Sequence, residues 1–239
     1  MGITYFISDV HLGMGKRDDE LERERLLLEF LKHVGERGER LFIIGDFFDF
    51  WFEYRSVIPR KYFNVLVALK ELSKKGISIK FVTGNHDFWM NDFFQSELQI
   101  EVFKKSFTTN INGKKFFIAH GDGLISNDLG QRITESILHN RYNIKIFKTL
   151  HPDIAFIIAR FISGLSRKKE RVANIEKYSQ FAKRCFNDGY DCVVLAHTHF
   201  PDELHENDHA YINTGDWIDH FSYGEFDNCS LTVKYWKEG

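Results

Sequence analysis

The sequence predicts an α/β fold in which helices cover a β-sheet, with a largely helical insertion in the second half of the chain. Two observations predict it. In the first third of the chain, short apolar runs typical of buried strands alternate with stretches of helical period. From about Leu129 to Asp188 the pattern turns helical throughout, and strand-like runs return after it. The 239 residues are enough for one sizeable domain.

Strands and helices alternate in the first third of the chain. The predicted strands are Ile3–Ser8, Leu41–Ile44 and Ser78–Thr83, and the predicted helices lie near Asp19–Val34 and Arg60–Lys75. This β-α-β-α-β order indicates a sheet layered with helices.

The next part of the chain begins with a predicted hairpin. Phe107–Ile111 and Lys114–Ala119 flank Asn112-Gly113, a dipeptide that favours the tight type I′ turn. Strands are also predicted after the helical insertion, at Cys192–Ala196, Ala210–Ile212 and Leu231–Tyr235.

The helical insertion, here called the insert, covers about residues 129–188 and is predicted to cap a single domain of residues 1–239. Between Gln131 and Arg184 there are 12 Lys or Arg and 4 Asp or Glu, although the whole chain has a net charge of −2. One predicted helix carries an apolar stripe, which consists of Ile154, Ile157, Ile158, Phe161 and Leu165. A basic, apolar-faced insert suits an anionic lipid surface, but such stripes more often pack on their own protein. Both interpretations stay open here.

Cysteine content and the N-terminal residues bear on the compartment. Cys185, Cys192 and Cys229 fit neither a disulfide framework nor a zinc site, which favours a reducing cytosol. The first residues lack the pattern of a signal peptide, and no apolar run reaches the ~18 residues of a transmembrane helix. We therefore expect a cytoplasmic protein.

Polar residues suited to metal binding follow directly after the predicted strands. They occur in five segments, which are Asp9-Val-His11, Gly45-Asp46-Phe-Phe-Asp49, Gly84-Asn85-His86-Asp87, His120-Gly121-Asp122 and His197-Thr-His199. Because ligands of α/β proteins gather at the carboxyl ends of strands, these segments can converge on one site. Each segment alone is common by chance, and a single Gly-Asp pair is usually a turn. Five in order, each after an apolar run, indicate a functional site.

Carboxylate, amide and imidazole groups together suit a pair of divalent cations. Side chains at i and i+2 face the same way in an extended segment, and both Asp9/His11 and His197/His199 have that spacing. Two such cations can hold phosphate oxygens and generate hydroxide at neutral pH, which is what phosphoester hydrolysis demands. These ligand types fit Mn²⁺, Fe or Zn²⁺, and Mn²⁺ is the ion we expect.

The ordered motifs DVH, GDFFD, GNHD, HGD and HTH resemble those of the calcineurin-like metallophosphoesterases, and they span the chain from Asp9 to His199. The resemblance implies a four-layer α/β/β/α sandwich with the insert as a helical cap. It implies that one ion is held by Asp9, His11, Asp46 and His199. It implies that a second ion is held by Asp46, Asn85, His120 and His197. In the same family pattern, His86 is the general acid for the leaving group and is oriented by Asp87.

A finer resemblance is to the UDP-2,3-diacylglucosamine pyrophosphohydrolases of lipid A synthesis. It rests on the length of the chain, Trp51 after the GDFFD motif, Asp128 after His120-Gly-Asp-Gly, and the basic insert. Enzymes of this family release UMP and 2,3-diacylglucosamine 1-phosphate from a nucleotide-sugar lipid, with the insert over the active site. The resemblance implies a peripheral location at the cytoplasmic face of the inner membrane. The residues expected to contact substrate are Asn85, Asp128, Arg132, Arg167 and Lys168.

Two positions depart from these patterns. Ala196 stands where the larger family usually has glycine, which is harmless if its φ is negative. His86 stands where the best-studied lipid A hydrolases have arginine, so another phosphodiesterase or a nucleotidase stays an alternative. A protein phosphatase needs an open groove, a nuclease needs a basic stripe toward its metals, and a non-catalytic scaffold typically loses ligands. The sequence therefore favours an enzyme that does not act on nucleic acid, and it leaves the oligomeric state open.

Overall fold

Two β-sheets face each other in the computed structural model, which describes residues 2–54, 56–124, 147, 149–155, 157–158 and 175–236. The first sheet has six strands, in the spatial order β11 (Ser230–Tyr235), β10 (Ser222–Asp227), β1 (Ile3–Ile7), β2 (Gly38–Ile44), β3 (Ser78–Val82) and β4 (Glu101–Phe103). Strands β1 to β4 run parallel, whereas β10 is antiparallel to β1 and β11 is antiparallel to β10.

The second sheet has five strands, in the spatial order β5 (Ser106–Ile111), β6 (Lys114–Ala119), β7 (Cys192–Leu195), β9 (His209–Thr214) and β8 (Pro201–Glu206). Strands β6, β7 and β9 run parallel, and the two edge strands are antiparallel to their neighbours. The predicted hairpin is confirmed, because Ile111 pairs with Lys114. Asn112 and Gly113 between them have φ of 51° and 85°, as a type I′ turn requires.

Helices cover the outer face of each sheet. They are α1 (Arg17–Arg37), α2 (Phe63–Lys74), α3 (Phe93–Leu98) and α4 (Ile175–Asn187), and a 3-10 turn at Arg60–Tyr62 leads into α2. Leu27 of α1 and Leu66 of α2 share an apolar cluster with Leu41 of the first sheet. Tyr178 of α4 shares another with Val193 of the second sheet.

Alternate residues of the central strands supply separate apolar layers, because successive side chains of a strand point to opposite faces. In β2, Ile43 belongs to the cluster beneath α1 and α2, whereas its neighbour Ile44 belongs to the cluster between the sheets. Phe6 of the first sheet stacks there on Phe116 of the second, with ring centroids 5.9 Å apart. The order helix, sheet, sheet, helix confirms the four-layer α/β/β/α sandwich.

The observed elements extend or add to the predicted ones. Helix α1 is longer than the prediction at both ends, and β9 continues two residues beyond Ile212. Strands β4, β8 and β10 and helix α3 have no counterpart among the predicted elements. All the strands that precede the five polar segments are present.

The insert is described only in part. Its last portion, α4, packs on the second sheet as the fourth layer of the sandwich, so this portion belongs to the body of the domain. Ile154 and Ile157 are 52% and 70% exposed, while Phe161 and Leu165 lie outside the described residues. The function of the insert as a cap stays a prediction. Within the described ranges, no helix has the length and apolar character needed to cross a membrane.

Candidate metal centre

Loops at the carboxyl ends of six strands bring polar side chains together. The residues are Asp9 and His11 after β1, Asp46 and Asp49 after β2, Asn85, His86 and Asp87 after β3, His120 after β6, His197 and His199 after β7, and Asp216 after β9. Within each sheet these strands are parallel, so their carboxyl ends lie on the same side.

The backbone of these loops is left-handed at five of the seven predicted metal ligands. The values of φ are 49° at Asp9, 47° at His11, 51° at Asp46, 72° at His197 and 60° at His199. A residue other than glycine in this region costs on the order of 1 kcal/mol, and such residues cluster at functional sites. The loops therefore hold these side chains in a backbone conformation that local preference alone disfavours.

Two glycines let the loops approach one another. Gly45 has φ of 74°, and a Cβ there would collide with the ring of His120. A Cβ at Gly84 would collide with the carboxylate and backbone of Asp46. Because neither glycine has a side chain, the loops pack at a distance that a Cβ would prevent.

Asp9, His11 and His199 form one ligand set, here called the first set, with one donor atom from each within 4.8 Å of the others. Asp9 Oδ1 lies 3.4 Å from His199 Nε2 and 3.9 Å from His11 Nε2. Asp9 Oδ2 accepts hydrogen bonds from the Ser8 hydroxyl at 2.5 Å and from the His197 backbone N–H at 3.2 Å. The second oxygen thus anchors the carboxylate while Oδ1 faces the histidines.

Asp46, His120 and His197 form the second set, again with donor atoms within 4.8 Å of one another. His120 Nε2 lies 3.4 Å from Asp46 Oδ2 and 3.2 Å from His197 Nδ1. His120 Nδ1 donates a 2.8 Å hydrogen bond to the carbonyl oxygen of Ile44. This bond fixes a ring proton on Nδ1, so Nε2 is the nitrogen that faces the set.

Asp46 lies between the two sets. Its Oδ2 is 3.8 Å from His11 Nε2 and 3.4 Å from His120 Nε2. Its Oδ1 accepts a 2.9 Å hydrogen bond from the backbone N–H of His86. A carboxylate that reaches a histidine of each set occupies the position that a ligand shared by two ions requires.

Three buried polar atoms test whether this arrangement suits cations. Asp9 Oδ1, His11 Nε2 and Asn85 Oδ1 are buried, and none has a hydrogen-bond partner within the described ranges. A buried polar atom without a partner costs about 1–3 kcal/mol. Carboxylate oxygen, imidazole nitrogen and amide oxygen can all donate electron pairs to a divalent metal ion. The residues present therefore fit such ions.

The charges within the site favour cations as well. Burial lowers the pKa of His197 to about 3, so this ring is neutral. Burial acts in the same direction on His199, but the carboxylate of Asp9 and its neighbours outweigh it and raise the pKa to about 9. Burial opposes ionisation of Asp46, yet His120 and other histidines hold the pKa of this carboxyl well below its usual range. The ionised carboxylates create a negative region that attracts positive ions.

His86 is held by Asp49. Its Nδ1 lies 3.0 Å from the carbonyl oxygen of Asp49 and 3.8 Å from the carboxylate Oδ1. The same Oδ1 lies 3.8 Å from Nδ1 of His11, whose ring centroid is 4.8 Å from that of His86. Asp49 therefore contacts both histidines on the β2 side of the site.

The carboxylate of Asp87 bonds to the backbone of two loops. Its carboxylate accepts hydrogen bonds from the backbone N–H groups of Gly84 at 2.8 Å and Phe47 at 2.9 Å. Burial, followed by the nearby Asp46 carboxylate, raises the pKa of Asp87 to about 7. Asp87 thus ties the β2 loop to the β3 loop. The role of Asp87 in orienting His86 stays a prediction.

Asp216 was not among the predicted site residues. It follows Gly215 just after β9, and its Oδ2 lies 3.3 Å from Nδ1 of His199. Its Oδ1 lies 3.2 Å from Nδ1 of His220. The signal that could have found it is a Gly-Asp pair after a strand, the same signal that identified Asp46.

Most of the predicted substrate contacts cannot be placed. Asp128, Arg132, Arg167 and Lys168 lie outside the described residues, so their assignment stays a prediction. Asn85, in the loop after β3, lies within the described residues, and its Oδ1 is buried.

Aromatic contacts join the described part of the insert to the loops of the site. Phe147 lies with its ring centroid 4.8 Å from that of Phe52 and 4.9 Å from that of Trp89. Phe52 follows Asp49 by three residues, and both it and Trp51 are buried core residues. The insert therefore contacts the domain next to the β2 loop.

Ala196 meets the condition that its φ is not positive. It is absent from the positive-φ residues of the described chain and is fully buried. Its carbonyl oxygen accepts a 2.9 Å hydrogen bond from the Asn213 amide. A methyl group is therefore tolerated before His197.

Comparison with known proteins gives three kinds of match. The model of the calcineurin-like phosphoesterase family matches residues 4–201. A protein of Porphyromonas gingivalis named UDP-2,3-diacylglucosamine hydrolase is 31% identical, over 96% of this chain and 96% of its own length. A protein of the same name from Aliivibrio fischeri is 26% identical, over 92% of this chain and 93% of its own. The solved structure of Yfce, a phosphoesterase from E. coli, is 18% identical with a TM-score of 0.49, and the match covers 98% of this chain and 93% of that one.

Proposed function

Because the chain belongs to the calcineurin-like phosphoesterase family, we propose that it uses two divalent metal ions to hydrolyse the pyrophosphate of UDP-2,3-diacylglucosamine. One water molecule is consumed, and the products are UMP and 2,3-diacylglucosamine 1-phosphate. The observation that carries the proposal is the position of Asp46, whose carboxylate lies within 3.8 Å of a histidine from each ligand set.

Seven residues would hold the metal ions. The first ion would be held by Asp9, His11, Asp46 and His199, and the second by Asp46, Asn85, His120 and His197. Bound divalent ions hold phosphate oxygens and lower the pKa of water, so that hydroxide forms near neutral pH. Mn²⁺ is the ion we expect, and Fe or Zn²⁺ stay alternatives, because imidazole, carboxylate and amide ligands suit all three.

The contacts of His86 support a role as the general acid. Its Nδ1 bonds to the carbonyl oxygen of Asp49 at 3.0 Å, which orients the ring and assigns proton transfer to Nε2. One ring nitrogen lies within 4.8 Å of donor atoms of Asp46 and His11, next to where a substrate phosphate would bind. Protonation of the oxygen that departs completes the cleavage, and contributes most when that oxygen is a poor leaving group.

The lipid substrate is supported by the named relatives and by the insert. The relatives from P. gingivalis and A. fischeri align over more than nine-tenths of both chains, so the insert lies within the aligned length. The insert contacts the domain beside the site through Phe147. In this proposal Arg132, Arg167 and Lys168 bind the diphosphate, and Asp128 contacts the sugar.

Exposed apolar residues of the insert support a peripheral position at the cytoplasmic face of the membrane. Ile154 and Ile157 are more than half exposed, and the surrounding sequence from Gln131 to Arg184 is strongly basic. Apolar side chains flanked by Lys and Arg suit the boundary between anionic headgroups and acyl chains. Such a position would give the site access to a substrate whose acyl chains are embedded in lipid.

The test is a hydrolysis assay of the purified chain with Mn²⁺. UDP-2,3-diacylglucosamine, bis-p-nitrophenyl phosphate and mononucleotides are compared, with Asp46→Asn as the inactive variant and Asp208→Asn as a control at an exposed carboxylate. We expect release of UMP from the lipid to exceed turnover of the other substrates in kcat/KM by at least about a hundredfold. Turnover of the diester or the mononucleotides alone would mean that the substrate is another phosphoester. That alternative is open because His86 stands where the best-studied lipid A hydrolases have arginine.

A further inference from the structure

We propose that Asp216 is the positioning residue for the first metal ion, because it fixes the ring of His199. The inference deepens the proposed function and rests on it. His199 is the ligand that lies furthest along the chain in the first set, and its side chain is 24% exposed, in contrast to the fully buried Asp9 and His11. A ring at the rim of the site needs an external support to keep one nitrogen directed inward.

The contacts of Asp216 provide that support. Its Oδ2 is 3.3 Å from Nδ1 of His199, while Nε2 on the other side of the ring is 3.4 Å from Asp9 Oδ1. An ionised carboxylate only accepts hydrogen bonds, so the single proton that His199 would keep with a cation at its other nitrogen is held on Nδ1. Nε2 then carries the lone pair and faces the first ligand set.

Asp216 is itself fixed by the backbone. Its Oδ1 accepts hydrogen bonds from the N–H groups of Ile218 at 3.3 Å, Asp219 at 3.0 Å and His220 at 2.9 Å. The side chain is almost fully buried. The carboxylate therefore has one oxygen committed to its own loop and the other to His199.

The support is confined to one ligand set. In the described part of the chain, the side chain of Asp216 contacts His199 and His220 but none of the second set, which is Asp46, His120 and His197. His120 has its own support, the carbonyl oxygen of Ile44. Loss of Asp216 should therefore weaken the binding of the first ion and leave the binding of the second ion unchanged.

The variant that tests this is Asp216→Asn. Its Oδ1 can still accept the backbone N–H bonds, but the amide group now donates to Nδ1 of His199. The ring proton is then forced onto Nε2, the nitrogen that should bind the ion, as when an amide replaces a carboxylate that supports a catalytic histidine. Asp219→Asn is the matched control, because Asp219 is an exposed carboxylate of the same loop.

The measurement is Mn²⁺ binding by titration calorimetry, with metal content determined on the same samples. The wild-type chain and Asp219→Asn should bind two equivalents. In Asp216→Asn one equivalent should bind about 10–100-fold more weakly, as for other residues that support a metal-bound histidine, and the second should change less than about twofold. His199→Ala should weaken the same equivalent.

Three results would overturn the inference. They are equal weakening of both equivalents in Asp216→Asn, no change in either, or weakening of a different equivalent from the one lost in His199→Ala. If Asp216→Asn does not fold, Asp216→Ser replaces it, since a hydroxyl can cap the turn without reaching His199. A wild-type chain that binds no Mn²⁺ would overturn the proposed function along with the inference, whereas two unaffected equivalents would overturn the inference alone.

Discussion

Replacement of Asp46 should separate the fold from the chemistry, because the two depend on different features of this residue. The backbone has φ of 51°, and Oδ1 accepts the N–H of His86 at 2.9 Å. Oδ2 faces His11 and His120. Asparagine tolerates the left-handed backbone and keeps an oxygen for His86, but it removes the charge that two cations would share. Alanine removes the tolerance of the left-handed backbone, the oxygen that accepts the N–H of His86, and the charge.

The expected magnitudes follow from these contacts. A left-handed backbone costs alanine about 1–2 kcal/mol, which is about 0–1 kcal/mol more than it costs aspartate, and the buried N–H of His86 without an acceptor costs about 1–3 kcal/mol more. Asp46→Ala should therefore lose about 1–4 kcal/mol of stability. At about 2–4 °C per kcal/mol for a chain of this length, its unfolding midpoint should fall by about 2–16 °C. Asp46→Asn should stay within about 1 kcal/mol of the wild type.

Hydrolysis should fail in both variants. The loss of a carboxylate shared by two ions removes several kcal/mol of charge stabilisation, and about 4 kcal/mol corresponds to a rate about a thousandfold lower. Unfolding is measured by circular dichroism on chelator-treated protein, so that metal binding does not enter the comparison. Hydrolysis of bis-p-nitrophenyl phosphate is measured with excess Mn²⁺. Equal midpoints for the alanine and asparagine variants would refute the backbone argument, and a wild-type rate for Asp46→Asn would refute the shared ligand.

Three further predictions concern the metal ions, the acid and the insert. If each ion is present at about a hundred times its Kd, treatment with a chelator should lower the unfolding midpoint by about 10–20 °C, and added Mn²⁺ should restore it. The midpoint is measured by scanning calorimetry, and the absence of a shift would argue against resident ions. His86→Ala should slow esters with poor leaving groups at least tenfold more than activated aryl phosphates, and equal losses in a series of leaving groups would remove its role as acid. Ile154→Ser combined with Ile157→Ser should weaken binding to anionic vesicles at least tenfold while hydrolysis of bis-p-nitrophenyl phosphate stays unchanged, and undiminished vesicle binding would exclude these side chains from the membrane contact.

The sequence predicts the central strands and their polar ends because burial leaves a clear pattern there. Strands covered on both faces read as continuous apolar runs, as β2 and β7 do, and a chemical residue directly after such a run stands out. Their alternation with helical stretches also predicts a sheet layered with helices. The family resemblance then supplied the four layers, which no single run could indicate.

The missed strands lack that pattern. β8, which runs from Pro201 to Glu206, is an edge strand with mostly polar side chains, none of which is buried, so hydrogen bonds to β9 rather than burial define it. β10 contains Gly224, which reads as a break in a strand. In the fold this glycine permits a close approach between sheets, because a Cβ there would collide with Ile212.

The omission of Asp216 from the predicted site has a related cause. The predicted strand ended at Ile212, so the pair Gly215-Asp216 did not appear to follow a strand directly, although β9 continues to Thr214. For Asp87, the family resemblance implied a role beside His86, whereas pattern alone gave no sign of its bonds to the backbone N–H groups of Phe47 and Gly84. Nor could sequence show that Asp49, thirty-seven residues away, contacts His86.

The left-handed ligands explain why the site and the fold make opposing demands. Five strained positions at about 1 kcal/mol each destabilise the chain by about 5 kcal/mol, a large part of the net stability of an ordinary domain. Two ions, each at about a hundred times its Kd, would return about 2.7 kcal/mol apiece, which offsets that strain. Glycine at any of these positions would relieve the backbone but remove a ligand. The residues at these five positions are therefore determined by the ions that they would bind. Conformational propensity for a left-handed backbone alone would have favoured glycine.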